Sequence, residues 1–172
     1  MSEGAGIADA AWGDAILAAA CFALDPAGTG GVALRALPGP VREGWLRLVR
    51  RLLPAPAPLI RVPVHIADSR LLGGLDLAAT LRAGRPVAER GVLAQADGGV
   101  VQLAMAERVP GSTCAHLIAA MDAGEVVLER DGIAARTPSR FGVIALDEGI
   151  GEDERLPSAL LDRLAFHLDL TG

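Results

Sequence analysis

Helical and strand-like spacings of apolar residues alternate along this sequence. Residues 9–24 carry apolar side chains at helical spacing, which predicts a helix. A short apolar run at 32–36 predicts a buried strand, and residues 40–53 predict a second amphipathic helix. The same patterns predict further strands at 59–64, 100–106, 141–146 and 165–170, and further helices at 75–83, 113–123 and 157–164.

Turn-forming residues mark the ends of several predicted elements. Pro40 suits the first turn of the helix at 40–53. Ser112 is the predicted N-cap of the helix at 113–123, and Gly124 is placed to end it. Pro63 favours an edge position for the strand that contains it, because proline cannot donate a hydrogen bond to a neighbouring strand. Residues 86–93 are predicted to be a loop.

A β-hairpin is predicted at 125–136. Asp131-Gly132 stands between two runs of alternating apolar residues, which is a strong local signal for a tight hairpin turn. The other strands alternate with helices, and this order favours an α/β fold with a mainly parallel sheet. The hairpin is then an insertion in that plan.

The segment at 30–46 carries the most informative chemistry. Its order of strand, tight turn and amphipathic helix is the layout of a phosphate-binding P-loop, G-x-x-x-x-G-K-[ST]. The two glycines, the lysine and the hydroxyl residue of that motif are replaced, in order, by Ala36, Val41, Arg42 and Glu43. A carboxylate at this helix mouth would repel a triphosphate. The sequence therefore predicts the frame of a nucleotide site without its chemistry.

Arg42 leaves an alternative open. If its guanidinium took over the role of the lysine, the chain would be an NTPase active through Arg42. Arginine is larger and planar and does not simply replace lysine on a phosphate, so a solvated arginine on the helix face is the preferred interpretation. Gly39 is a glycine of the turn, but the cofactor-binding set of Gly39, Arg42 and Glu43 is degenerate.

Composition narrows the function classes. A length of 172 residues fits about one domain. The net charge of −5, without a basic stripe, argues against nucleic-acid binding. No apolar run reaches the ~20 residues that span a bilayer, and no export signal is evident, so a cytoplasmic location is expected. All 16 basic residues are arginines, which excludes a lysine-dependent phosphate site.

The sequence contains residues of the types used in catalysis and metal binding, but their spacing is not that of a catalytic or metal site. One predicted helix carries Ser112, Thr113, Cys114 and His116. Two histidines lie near an acid but lack a third ligand, namely His65 with Asp68 and His167 with Asp169. An acidic run that could hold Mg²⁺ is predicted to be a solvated loop: Asp147, Glu148, Glu152, Asp153 and Glu154. We predict packing roles for these residues and no metal site.

Five short stretches, in this order and spacing, resemble the amino-terminal AAA+ domain of magnesium chelatase D subunits and, more loosely, the family's ATPase partner, the I subunit. They are residues 71–77 (LLGGLDL), 90–96 (RGVLAQA), 129–133 (ERDGI), 140–141 (RF) and 160–164 (LLDRL). The resemblance implies that residues 1–172 form one AAA+ domain, a P-loop-type three-layer sandwich. In this branch of AAA+ proteins, hairpins such as the one around Asp131-Gly132 face the ring pore and contact partners.

The resemblance also shows which catalytic parts are missing. ATP hydrolysis needs an Asp-Glu pair after the strand at 100–103, but Ala104 and Met105 stand there and Glu107 comes two residues late. The sensor asparagine after the next buried strand is replaced by Asp147 or Glu148. We therefore expect this domain alone to be inactive as an ATPase.

Arg163 matches the residue that presents an arginine finger to the neighbouring subunit's γ-phosphate. A guanidinium supplied in trans stabilises the charge that develops on the transferred phosphoryl group. The alternative is a structural role, in which Arg163 caps its short helix or pairs with Asp162 or Glu154.

By resemblance, the chain is expected to be a non-hydrolysing AAA+ platform subunit. It would assemble with the I subunit in a hexameric ring and act with the porphyrin-binding H subunit. The complex uses ATP and Mg²⁺ to insert Mg²⁺ into protoporphyrin IX during bacteriochlorophyll or chlorophyll biosynthesis, whereas this domain is expected to bind no cofactor. The alternative is an AAA+-derived interaction scaffold unrelated to chelatase.

Family D subunits continue with a helical lid, an acidic and proline-rich linker and an integrin-I domain. None of these is present in the 172 residues, so we expect the chain to be a fragment.

Overall fold

The computed structural model describes residues 3–130, 133–151 and 153–171. The helices are α1 (Glu3–Leu24), α2 (Pro26–Thr29), α3 (Pro40–Leu52), α4 (Asp68–Leu72), α5 (Leu77–Ala83), α6 (Val92–Gln95), α7 (Gly111–Ala123) and α8 (Ser158–Leu161), with a 3₁₀ turn at Ala106–Arg108. The strands are β1 (Gly31–Arg35), β2 (Leu59–Val62), β3 (Gly73–Leu75), β4 (Ala88–Arg90), β5 (Gly99–Leu103), β6 (Glu125–Arg130), β7 (Ile133–Pro138), β8 (Phe141–Asp147) and β9 (Phe166–Asp169).

Within these residues the central sheet has five parallel strands in the order β2-β5-β8-β1-β9. Val32 of β1 is paired with Ile144 of β8 on one side and with Phe166 of β9 on the other. Because the strands are parallel, their carboxyl ends share one side of the sheet, the carboxyl edge, and their amino ends share the other, the amino edge. The predicted α/β fold with a mainly parallel sheet is confirmed, and β2 lies at the edge of the sheet as Pro63 predicts.

The sheet separates two apolar cores, since successive side chains of a strand point to opposite faces. Val32 and Leu34 face a core shared with α1 and α3, where Phe22 and Trp45 are fully buried. Ala33 faces the second core, together with residues of α6, α7 and α8. Helices on both faces of a sheet make a three-layer sandwich, as predicted.

Two local predictions are wrong. Residues 86–93 are not a loop, because β4 pairs in antiparallel with β3 and α6 begins at Val92. Ser112 does not cap α7, which begins at Gly111 with Pro110 at the cap position and no side-chain cap hydrogen bond. α7 therefore begins two residues earlier than a cap at Ser112 would give, and the fixed φ of Pro110, −59°, leads the chain into its first turn. Gly124 ends α7 in the left-handed conformation, as predicted.

The predicted hairpin is present, since β6 and β7 pair in antiparallel register from Glu125 opposite Pro138 to Arg130 opposite Ile133. Its turn residues, Asp131 and Gly132, lie outside the described residues. No helix in the described part of the chain is both long and apolar enough to cross a membrane.

A degenerate nucleotide site and an arginine cleft

The turn between β1 and α3, residues 36–39, lies at the carboxyl edge, where a P-loop would hold phosphate. A P-loop binds through free backbone N–H groups, but Pro38 and Pro40 have none. The Ala36 N–H already donates to the Asp147 carbonyl oxygen at 3.1 Å. Leu37 and Val41 are exposed apolar side chains here. The backbone of this turn therefore offers few donors to a phosphate.

Arg42, at the lysine position, is held in an ion pair. Its Nη1 donates to Oε1 of Glu148 at 2.5 Å. Only 11% of the Arg42 side chain and 24% of the Glu148 side chain are exposed. The prediction of a solvated helix-face arginine is therefore wrong, because the loop after β8 covers the guanidinium. A phosphate could reach Arg42 only by displacing this carboxylate.

The backbone after β5 turns away from the strand direction at the positions where the Asp-Glu motif would stand. β5 ends at Leu103, and Met105 adopts a left-handed conformation with φ 46° that turns the chain into the 3₁₀ turn. The Glu107 side chain is fully buried, and its Oε2 accepts a hydrogen bond from the Glu148 N–H at 3.1 Å. Because the strand does not continue past Leu103, Glu107 supports the loop after β8 and does not reach the catalytic glutamate position at 105.

Members of the acidic run are paired with arginines, namely Asp147, Glu148 and Glu154. Asp147 is buried beside Arg35, with 3.5 Å between Oδ2 and Nη1, and it also accepts from the Gly149 N–H at 2.9 Å. Glu154 lies 3.3 Å from Nη2 of Arg108. Asp147 and Glu148 are therefore largely covered, which the sequence does not predict, whereas Glu154 is 42% exposed in the loop after β8, as predicted. Glu152 lies outside the described residues. In the described part of the chain, no three His, Cys, Asp or Glu side chains are grouped so that they could hold a metal ion.

The ion pair between Arg42 and Glu148 leads to a testable stability difference. Arg42→Ala leaves the Glu148 carboxylate largely buried without its partner, so we expect a loss of about 2 kcal/mol in unfolding free energy, below the ~3–5 kcal/mol of a fully buried pair. Arg136→Ala is the matched control, because its 2.5 Å ion pair with Glu125 is equally short but Arg136 is 67% exposed. An exposed pair contributes under about 1 kcal/mol. Urea denaturation measures both, and equal losses would contradict the prediction.

The remaining candidate residues do not form a nucleophilic site. Burial raises the pKa of the Cys114 thiol, which disfavours the thiolate that a nucleophile needs. His116 lies 3.8 Å from Asp68, too far for a hydrogen bond. The Nε2 atom of His167 lies 3.2 Å from the Leu161 carbonyl oxygen. These contacts fit the predicted packing and surface roles.

Arg163 lies at the opposite side of the sheet, between α8 and the start of β9. Its Nε and Nη2 donate to Oδ1 and Oδ2 of Asp122 at 2.8 and 2.6 Å, and its Nη1 donates to the Ala159 carbonyl oxygen at 2.8 Å. Its side chain remains 33% exposed. Arg163 thus contacts its own short helix, as the structural alternative proposes, but its acidic partner is Asp122 and not Asp162 or Glu154.

The backbone of Arg163 is fixed against the amino edge. The Ala165 N–H donates to the Thr29 carbonyl oxygen at 3.1 Å. At Gly30, which has φ +70°, an added Cβ would lie 1.9 Å from the Arg163 carbonyl oxygen. Glycine is required at position 30 because a side chain would be strained at this φ and would collide with that carbonyl oxygen. The position of Arg163 is therefore set by close packing of the chain at the start of β1.

An open cleft of about 490 Å³ surrounds this guanidinium. Asp25, Asp122, Arg140 and Arg163 are the charged residues that line it. Sequence reasoning assigned no role to Asp122, because no local pattern connects it with a residue 41 positions away. Arg140 belongs to one of the stretches that carry the family resemblance, which was the available signal. The cleft places exposed guanidinium groups at a surface of the domain.

Comparison with known proteins shows the family of this chain. The magnesium-chelatase 60 kDa subunit of Cereibacter sphaeroides is 43% identical over 151 residues, which cover 88% of this chain and 24% of that subunit. The 67 kDa subunit of Chlorobaculum parvum is 31% identical over 150 residues, 87% of this chain and 24% of that subunit. The chain belongs to the family of these magnesium chelatase D subunits. The predicted resemblance is confirmed, although no protein-family model matches the sequence.

Other comparisons agree with this assignment. The magnesium-chelatase 38 kDa subunit of Rhodobacter capsulatus is 29% identical over 115 residues, 67% of this chain and 32% of that subunit. A chain in a 7.5 Å cryo-EM-based reconstruction of the complex between subunits BchI and BchD of magnesium chelatase superposes with a TM-score of 0.71 at 25% identity, covering 91% of this chain and 58% of that chain. The predicted AAA+ fold is confirmed. The chain spans about a quarter of the length of its D-subunit relatives.

Proposed function

We propose that this chain is the AAA+ module of a non-hydrolysing magnesium chelatase subunit. It assembles with an ATPase subunit of the 38 kDa type in a hexameric ring and, with a porphyrin-binding H subunit, takes part in ATP-driven insertion of Mg²⁺ into protoporphyrin IX. Its contribution to the chemistry is Arg163, which acts on nucleotide bound by the neighbouring subunit. We propose that the full subunit also contains a lid, a linker and an integrin-I domain.

The carboxyl edge supports the non-hydrolysing role. Arg42 at the lysine position is paired with Glu148, one of the two residues that stand where the sensor asparagine would be. No Asp-Glu pair follows β5, so the groups that hold Mg²⁺ and orient water are absent from these positions. A nucleotide bound at this turn would find the guanidinium of Arg42 already paired with a carboxylate and no glutamate to orient water.

The position of Arg163 is the observation that carries the proposal. Arg163 follows α8 at the amino edge, whereas the degenerate turn lies at the carboxyl edge, and the two are separated by the length of β1. Five residues of strand span about 16 Å, more than an arginine side chain can reach. Arg163 therefore cannot serve the turn of its own chain. If this partly exposed guanidinium acts on a phosphate, another molecule has to supply that phosphate, and this supports a role in trans.

Turnover measurements with separate subunits test this division of roles. The full-length subunit that carries this chain should hydrolyse no ATP alone, and Arg42→Ala should change nothing in that assay. Added to its ATPase partner, it should form a complex that inserts Mg²⁺ into the porphyrin when the H subunit is present. Hydrolysis by the purified subunit that is lost in Arg42→Ala would instead favour the NTPase alternative. Magnesium insertion that proceeds equally well without the subunit would contradict the proposal.

A further inference from the structure

The guanidinium of Arg163 is held from one side, and this leaves part of it free. A guanidinium has five N–H groups. Two donate to the carboxylate of Asp122 and a third donates to the Ala159 carbonyl oxygen. Of the two N–H groups that remain, one is on Nη1 and one is on Nη2. Two neighbouring N–H groups on the terminal nitrogens form the fork that binds phosphate oxygens in a bidentate manner.

Asp122 occupies a position that is unfavourable without Arg163. It lies in the last turn of α7, which contains no basic residue. The carbonyl end of a helix repels a carboxylate. The hydrogen bonds from Arg163 lower the pKa of Asp122, and Asp122 in turn raises the pKa of Arg163. The pair is therefore charged at neutral pH and is lost only in acid, as the pH falls through the lowered pKa of Asp122.

We propose that Asp122 is a positioning residue for Arg163. It fixes the guanidinium side-on at the mouth of the cleft, so that the two free N–H groups face the phosphate of a nucleoside triphosphate held by the neighbouring subunit. This inference rests on the proposed function, because it assigns a role to Asp122 only if Arg163 acts in trans.

Asp122→Asn tests the inference with little change in shape. An amide has a single acceptor oxygen, so the two-point contact with Arg163 is lost while the side chain keeps its size. In the reconstituted complex that contains the full-length subunit, we expect the kcat of the partner ATPase to fall about 10- to 100-fold, the cost of a misplaced catalytic group. The KM for ATP and the assembly of the complex should stay unchanged. Asp122→Glu, which keeps both oxygens, should recover part of the lost rate.

Asp25→Asn is the matched control. Asp25 lines the same cleft, and the variant removes the same charge. It keeps the oxygen that accepts from the Gly28 N–H, and Asp25 has no hydrogen bond to Arg163. This variant should turn over like the wild type. If it slows turnover as much as Asp122→Asn does, the charge of the cleft and not the held geometry is responsible, and the inference is overturned.

Arg163→Ala and the double variant Asp122→Asn/Arg163→Ala separate the two proposals. If Asp122 acts through Arg163, the double variant should be no slower than Arg163→Ala alone. Wild-type or faster turnover in Asp122→Asn, with slow turnover in Arg163→Ala, overturns the inference and leaves the proposed function standing. Wild-type turnover in Arg163→Ala overturns both. Failure of Asp122→Asn to assemble, while Arg163→Ala assembles, would assign Asp122 to assembly and also overturns the inference.

Discussion

Arg163→Ala is expected to reduce ATP turnover by the neighbouring ATPase subunit about 10³-fold, the lower end of the range for arginines that act in trans on a transferred phosphoryl group. The guanidinium stabilises charge that appears only in the transition state, so the loss should fall on kcat. Assembly should be preserved, because Asp122 is at the surface and water can solvate it when its partner is removed. Steady-state ATPase assays and size-exclusion chromatography of the same reconstituted samples measure the two effects.

Arg163→Lys is the informative companion to that variant. Lysine keeps the positive charge but loses the planar fork, so it should restore only a small part of the rate. Full recovery with lysine would mean that a point charge is enough, which would contradict bidentate contact. Unchanged turnover in Arg163→Ala would reduce Arg163 to a link between α7 and α8.

Trp45→Ala is expected to cost about 3–5 kcal/mol of unfolding free energy, the largest stability effect of the substitutions considered. Trp45 is fully buried in α3 between the sheet and α1, and its indole Nε1 donates to the Ala15 carbonyl oxygen at 2.8 Å. Removing it opens a cavity and removes the hydrogen bond from the indole to that helix carbonyl. Urea unfolding followed by far-ultraviolet circular dichroism measures the loss without depending on tryptophan fluorescence.

Trp45→Phe separates packing from the hydrogen bond. Phenylalanine keeps much of the buried area but cannot donate, so a smaller loss of about 1–3 kcal/mol is expected. A loss below 1 kcal/mol in Trp45→Ala would mean that α3 does not hold the layer together.

The structure distributes charge differently at its two candidate sites. At the carboxyl edge, Arg42 and Glu148 form an ion pair in which both side chains are largely covered. At the amino edge, Asp122 binds one side of Arg163 and the rest of the guanidinium remains accessible. Both are arginine–carboxylate pairs, but burial makes the first an internal contact and exposure leaves the second available to a partner.

Local patterns in the sequence determined much of this fold. Apolar patterns predicted β1, α3, β5 and β8: α3 buries one face of a helix, and the three strands are short apolar runs that are buried almost throughout. The Asp131-Gly132 pair predicted the β6–β7 hairpin, since turn chemistry is decided within a few residues. The replacement of the P-loop residues could also be read directly, because that motif consists of residue types at fixed spacing.

Only the tertiary structure decided which charged side chains meet. Arg42 and Glu148 are 106 residues apart, and Asp122 and Arg163 are 41 apart. Each pair forms because the order of the parallel strands brings two distant loops or helix ends to the same edge of the sheet, and side-chain identity alone does not specify that order. The pairing of β3 with β4 was missed for a different reason, since three-residue strands are too short to show a period. The sequence by itself determined that the residue types of a P-loop are replaced, since that can be read at fixed positions. The strand order decided which carboxylates Arg42 and Arg163 meet and that Arg163 stays partly exposed.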